Sequence, residues 1–213
     1  MRTDVRAEAG SWPRLVVLVS GEGTNLQAVI DGCGDGSILA DVVAVVSNRA
    51  QAGGLKRARA EGIPTIAVPP ESGEQRAAYD SRLADEVELH RPDVVVLAGW
   101  MRILTASFLD RFPGQVINLH PARPGELPGI GSIERAYDEF LAGSRRSTGV
   151  MVHLVPDEGV DVGPVLGTVD VPIHDHDTLD TMAARIHAAE HALLVRTLGE
   201  MCSSLQLSKE VNA

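Results

Sequence analysis

The chain has no long apolar run. Nothing in it approaches the roughly 20 residues that span a bilayer, and the charged opening stretch, Met1 to Pro13, contains no apolar core of signal-peptide length. Cysteine is scarce: Cys33 and Cys202 are far apart and form no CxxC or Cys/His ligand spacing. Neither a zinc site nor a disulfide framework is indicated, and a reducing, cytoplasmic setting fits best. Positive charge is also in deficit, with 19 Lys and Arg against 29 Asp and Glu and a net charge of −10. Such a balance argues against general binding to nucleic acid or an anionic membrane, while leaving room for a local basic pocket that holds a phosphate. Small molecules are the expected partners. No internal repeat or low-complexity linker divides the 213 residues, so the reading is a flexible leader over 1–13, a single domain over 14–200 and a flexible tail over 201–213.

Several catalytic signatures are missing as well. The turn Gly21-Glu22-Gly23-Thr24-Asn25 follows the apolar run Leu15 to Ser20, but Leu26 stands where a dinucleotide fingerprint has its third glycine, and no GK[ST] makes it a P-loop. No Ser nucleophile elbow or reactive cysteine setting is visible. What the turn does offer is a strand that feeds a helix. Gly23, Thr24 and Asn25 then lie at a helix N-terminus, where free amides and the dipole favour an anion. N-capping by Thr24 or Asn25 explains the same residues.

Short apolar runs recur at Val42 to Val46, Pro64 to Val68, Val94 to Leu97 and Val116 to His120, with helical spacing between them. This alternation predicts an α/β fold with a doubly wound, mostly parallel sheet, ligands binding at the carboxyl ends of the strands. Beyond Pro121 the rhythm changes. A Pro/Gly-rich loop over 122–131 leads to a helix at Ser132 to Ala142, then to strands at Gly149 to Val155 and Val165 to Val171 joined by a nine-residue acidic loop. Those two strands read as an antiparallel extension, and Thr178 to Leu198, with Asp177 or Thr178 as N-cap, reads as a terminal helix.

The chemistry concentrates in Val116-Ile117-Asn118-Leu119-His120-Pro121. Residues two apart on a strand share a face, so Asn118 and His120 project together where Pro121 ends the ladder. The imidazole can move a proton near neutral pH, and the amide can donate to an oxygen that gains charge. A carboxylate nearby would raise the pKa of the His. The loop from Asp157 to Asp161 supplies three acids, of which Asp161, before the Gly163-Pro164 turn, is the most constrained. A solvated acidic turn is the alternative, as is a His that merely caps its strand. Trp100, Met101, Ile103 and Leu104, beyond the fourth strand, either line a pocket or fold inward.

These residues together resemble the phosphoribosylglycinamide formyltransferase family, within the larger group of formyltetrahydrofolate-using enzymes. The resemblance runs from about Arg14 to Leu198. It is carried by SGEGTNLQA at Ser20 to Ala28, SNR at Ser47 to Arg49, RAAYD at Arg76 to Asp80, PDVVVLAGWMRIL at Pro92 to Leu104, INLHP at Ile117 to Pro121, VHLVPDEGVDVGPV at Val152 to Val165 and AEH at Ala189 to His191. It implies a Rossmann-like formyltransferase fold and direct transfer of a formyl group from 10-formyltetrahydrofolate to the amine of 5-phosphoribosylglycinamide in purine biosynthesis, without metal. Gly23, Thr24 and Asn25 would hold the phosphate, with His187 and Glu190 reaching the same substrate. Arg76, Met101, Arg102, Ile103, Leu104, Asn118 and Asp157 would bind the folate. Asn118 would orient the formyl oxygen, His120 would transfer the proton, and Asp161 would position His120 and raise its pKa.

The chain departs from the family at several positions. Ala122 to Gly131 replaces the usual loop, with Gly131 where a histidine is expected, Met151 replaces a small hydroxyl residue, and His187 replaces a common Gln. The alternatives are hydrolysis of the formyl donor, or a catalytically silent ligand-binding module of the same fold. A homodimer formed through Val42 to Val46 or the neighbouring helices is compatible with the pattern, and a sheet core accounts for those residues equally.

Overall fold

The structure is a computed structural model that describes residues 12–211. Val- and Leu-rich runs, whose branched side chains suit a pleated surface, alternate with helices in the order β1 (Arg14–Val19), α1 (Thr24–Asp35), β2 (Asp41–Ser47), α2 (Gly53–Ala60), β3 (Thr65–Ala67), α3 (Arg76–Glu88), β4 (Val94–Leu97), α4 (Ala106–Leu109) and β5 (Val116–His120). There follow α5 (Ser132–Leu141), β6 (Ser147–Leu154), β7 (Val165–Pro172) and α6 (Leu179–Val211). The strands form one seven-stranded sheet in the order β3-β2-β1-β4-β5-β6-β7. β1 to β5 pair in parallel, while β5 with β6 and β6 with β7 pair antiparallel. The doubly wound α/β sheet with an antiparallel extension and a terminal helix is thus the fold that the sequence pattern predicts.

Burial on both faces explains why the central strands read as unbroken apolar runs. Leu15, Val17 and Val19 of β1 enter one core with α1, α2 and α6, whereas Val16 and Leu18 enter the other with α3 and α4. β2 lies inside the sheet and buries Ala44, Val45 and Val46. Those side chains are core.

Chain order reverses between β1 and β4, which opens a crevice beyond their carboxyl ends. The two strand ends are bound to each other there: the Ser20 amide donates to Gly99 O at 3.0 Å, and the Met101 amide donates to Ser20 Oγ at 2.9 Å.

The C-terminus differs from the expected flexible tail. α6 continues past Leu198 as far as Val211, because Cys202 is completely buried in the first core and Lys209 Nζ reaches Asp93 Oδ2 at 2.9 Å. Polar residues in this stretch form the solvated side of a helix whose other side is packed. Its start follows the sequence reading. Thr178 Oγ1 accepts from the Thr181 amide at 3.2 Å, and Thr181 Oγ1 accepts from the Thr178 amide at 2.9 Å, a reciprocal cap. Of the expected leader, residues 1–11 lie outside the described residues.

Candidate active site

The anion turn is built by Gly23, which caps α1 at φ +74° with no side-chain cap hydrogen bond. A Cβ on Gly23 would stand 2.5 Å from Gly54 Cα, so the left-handed turn and the close pass over α2 both demand glycine. Capping by Thr24 or Asn25 is therefore not what occurs. Gly23 already has the conformation that a side chain would otherwise help to set. The first-turn amides are left without a side-chain acceptor, and that turn carries no acidic residue, which leaves the positive end of the dipole uncompensated.

Asn118 and His120 leave β5 on the same sheet face as expected, and the antiparallel β6 brings its own residues to meet them. Register pairs Asn118 with His153 and His120 with Met151. The left-handed backbone of Asp161, at φ +56°, turns its carboxylate back onto this group. Asp161 Oδ2 lies 3.3 Å from His120 Nδ1 and accepts from the Gly129 amide at 2.8 Å, while Asp161 Oδ1 accepts from Asn118 Nδ2 at 3.0 Å. His153 Nε2 lies 3.2 Å from Asn118 Nδ2 and 3.5 Å from Asp161 Oδ1, and His153 Nδ1 lies 2.8 Å from Leu154 O. A proton on Nδ1 satisfies that carbonyl; Nε2 accepts from Asn118 when it carries no proton and donates toward Asp161 Oδ1 when it carries one.

In the singly protonated state of His153, both protons of the Asn118 amide are engaged, one on Asp161 and one on His153. His120 turns Nδ1 toward Asp161, and its Nε2 is a buried atom with no hydrogen-bond partner among the described residues. Burial lowers the His120 pKa below the ordinary 6.5 and outweighs the Asp161 charge, which acts upward together with the Glu126 and Leu127 backbone. Asp161 acts in the expected upward direction, but the side chain is 4 % exposed, and desolvation of the imidazolium dominates the net shift. Neutral His120 is thereby poised to accept a proton. Burial also pushes Asp161 upward, but the His153 ring, the Gly129 amide and His120 together hold it below the usual carboxylate range. It stays ionised.

Next to this group is a cavity of about 70 Å³. Leu97, Leu104 and Val155 make part of its wall apolar, and Trp100, Asn118 and Asp161 add polar atoms. Arg102, Ile103 and Asp157 also line it. The Arg102 guanidinium lies 4.4 Å from the Tyr79 ring centroid, and Asp157 Oδ1 accepts from the Gly159 amide at 2.8 Å. The loop after β4 both folds inward and lines a pocket, since Trp100 and Leu104 are buried while Met101 and Ile103 are 57 % and 46 % exposed. Met101 and Arg76 are not part of the cavity wall. Arg76 instead donates to Ile103 O at 3.2 Å and faces Glu158 Oε2 at 3.9 Å, and Glu158 Oε1 accepts from the Ala106 amide at 3.1 Å. Asp80 of the RAAYD stretch holds this loop, its Oδ2 accepting from the Thr105 amide at 2.7 Å, while the Tyr79 hydroxyl donates to Val68 O, just after β3, at 2.9 Å.

On α6, His187 Nδ1 lies 2.6 Å from Glu190 Oε2. That contact raises the His187 pKa above 6.5 against the opposing effect of burial. One residue further along, His191 shares a cavity of about 290 Å³ with Thr24 and Arg57, so α6 and the anion turn border one space.

Sequence reasoning passed over His153, Trp100 as a donor, and Glu158. For His153 a signal existed, since Met151 and His153 alternate on one strand face, but only the β5–β6 pairing shows which face that is. Gly131, at φ +69°, caps α5, and a Cβ there would come no nearer than 3.8 Å to Glu134 Oε2. Its backbone conformation, not space, distinguishes the position from histidine. Met151 is buried opposite His120. Among the described residues, no group of three or more His, Cys, Asp and Glu could hold a metal ion, and no helix is long and apolar enough to cross a membrane.

A doubly wound sheet whose fifth strand ends in an Asn/His pair, held by an aspartate from an antiparallel extension, defines a class. The chain belongs to the formyl transferase family, whose pattern it matches over residues 13–198. The chain is 42 % identical over 179 residues to the phosphoribosylglycinamide formyltransferase of Escherichia coli (strain K12), covering 84 % of this chain and 82 % of that one. It is 39 % identical over 203 residues to the trifunctional purine biosynthetic protein adenosine-3 of Drosophila melanogaster, spanning 94 % of this chain and 15 % of that protein. The crystal structure of glycinamide ribonucleotide transformylase 1 from Symbiobacterium toebii superposes with a TM-score of 0.85 at 36 % identity, covering 92 % of this chain and 90 % of that one.

Proposed function

We propose that this chain transfers a formyl group from 10-formyltetrahydrofolate to the amine of 5-phosphoribosylglycinamide, a step of purine biosynthesis. The observation that carries the reading is His120 Nε2, a buried basic nitrogen with no hydrogen-bond partner among the described residues, on a ring beside Asp161, whose carboxylate in turn borders a partly apolar cavity. The names of the relatives support the same substrates. The residues fit a reduced folate: apolar side chains make part of the cavity wall, and Trp100 Nε1 and Arg102 Nε, on residues that line it, lack acceptors among the described residues. When bound, the co-substrate supplies the formyl carbon.

Each residue then has a defined task. The first-turn amides after Gly23, with protonated His187 on α6, hold the phosphate of the ribonucleotide. His120 Nε2 takes the proton that the amine loses as its nitrogen bonds to the formyl carbon, and returns a proton to the departing folate nitrogen. Asp161 fixes the Nδ1 proton and stabilises the imidazolium that forms between the two transfers. Asn118 turns an amide proton from Asp161 or His153 toward the formyl oxygen as charge develops there, a contribution of about 3 to 4 kcal/mol for a well-placed donor. Cytoplasmic location belongs to this reading, since the substrates are soluble metabolites. Absorbance-monitored formyl transfer, with and without the ribonucleotide, tests it. Turnover that requires the ribonucleotide supports transfer, and turnover indifferent to it identifies a hydrolase.

A further inference from the structure

Trp100 follows β4 and is 7 % exposed, packed in the second core with Leu104 and Phe108. Trp100 lines the same cavity as Asn118 and Asp161, yet its Nε1–H is buried without a hydrogen-bond acceptor among the described residues. Buried indole N–H groups usually find a partner, because an unpaired donor removed from water loses its hydration with nothing in exchange. A phenyl ring would fill much of this position without that loss. Leu97, Leu104 and Val155 in the same wall offer apolar surface to a flat ligand, and none of its acceptor side chains, Asn118, His153, Asp157 and Asp161, is bonded to the indole.

We propose that Trp100 is a specificity-determining residue for the formyl donor, its indole N–H donating to an acceptor on the edge of the fused pyrimidinone ring. This rests on the functional reading above, which places the folate in the cavity. A ligand lacking that heteroaromatic edge leaves the donor unpaired, so the indole discriminates by the cost of the missing bond. No other residue in the cavity wall supplies an indole, which makes the contribution separable from Asn118, His120 and Asp161.

The test uses the full chain, 15N-labelled, and its Trp100→Phe variant. Tetrahydrofolate titrated into the natural chain is expected to move the Trp100 indole proton downfield, that signal being identified by its loss in the variant, which leaves only Trp12. The Trp100→Phe substitution should weaken tetrahydrofolate binding, and raise the KM for 10-formyltetrahydrofolate, by about fivefold to tenfold. The KM for the ribonucleotide and the affinity for p-aminobenzoylglutamate, which lacks the pyrimidinone, should not change. Equal tetrahydrofolate affinity in both proteins with an unmoved indole signal overturns the inference while leaving the functional reading intact. Loss of affinity for p-aminobenzoylglutamate as well would mean a packing role and also overturns it. If tetrahydrofolate leaves the backbone amides of Arg102, Ile103 and Leu104 unmoved in the natural chain, the functional reading itself fails.

Discussion

His120 and His187 each sit beside a carboxylate, and their proton affinities move in opposite directions. Asp161 lies 3.3 Å from His120 and Glu190 lies 2.6 Å from His187, but His120 is 4 % exposed and His187 51 %. In the buried site, removing the imidazolium from water outweighs the neighbouring charge and lowers the pKa. In the open site, the short contact prevails and raises it. In the proposed transfer the first serves as the base and the second as the anion ligand, and each shift favours the form that its task needs. The stability consequences are opposite too. The unfolded chain protonates at about 6.5, so the His120 contribution is present above that pH and is lost as pH falls toward its lowered value. The His187 contribution is complete below 6.5 and is lost as pH rises through its raised value.

The largest effect expected from breaking this contrast is at the buried end. His120→Ala should reduce kcat by about 100- to 10,000-fold while leaving ribonucleotide affinity near its natural value, measured by steady-state kinetics and direct titration. Retained kcat would remove His120 from the proton transfer. Asp161→Asn should come next, with kcat reduced roughly 100-fold. Without the carboxylate, His120 loses the charge that acts upward on its pKa, so the acid limb of the kcat/KM profile should shift to lower pH; a shift to higher pH would contradict the balance of burial and charge described here.

At the open end, His187→Gln should raise the KM for the ribonucleotide by about three- to tenfold with little change in kcat. In the natural chain, kcat/KM for that substrate should decline as pH rises through the raised His187 pKa, and in the variant this decline should vanish. The smallest effect is expected at Glu158, an exposed carboxylate that bridges the Ala106 amide and Arg76. Glu158→Gln should weaken this latch between the 156–164 loop and the Ile103 to Ala106 segment, and change the KM for the formyl donor by about twofold or less, since exposed pairs contribute at most about 1 kcal/mol. A tenfold change would show that the latch governs access to the cavity.

Legibility in the sequence followed the range of the interactions involved. β1, β4 and β5 were readable because strands buried on both faces must be apolar throughout, and the pairing of Asn118 with His120 followed from strand alternation alone. The helical tail was not readable. Cys202 becomes a core residue only because α6 crosses the sheet far enough to bury it, and Lys209 finds Asp93 across 116 positions. The cap of α1 stayed open between alternatives for a related reason: Gly23 is chosen by its close pass over Gly54, a contact between elements. His153 escaped notice because its meaning depends on the β5–β6 register.

By itself the sequence determined the α/β alternation, the glycine turn at a helix N-terminus, and an Asn/His pair on one strand face, because each depends on backbone periodicity and local sterics. Only the tertiary structure decided the state in which that pair works. The direction of the His120 pKa shift is the difference between a desolvation cost and a Coulombic attraction. Both depend on how completely β6, the left-handed turn at Asp161 and the Gly129 amide enclose the imidazole.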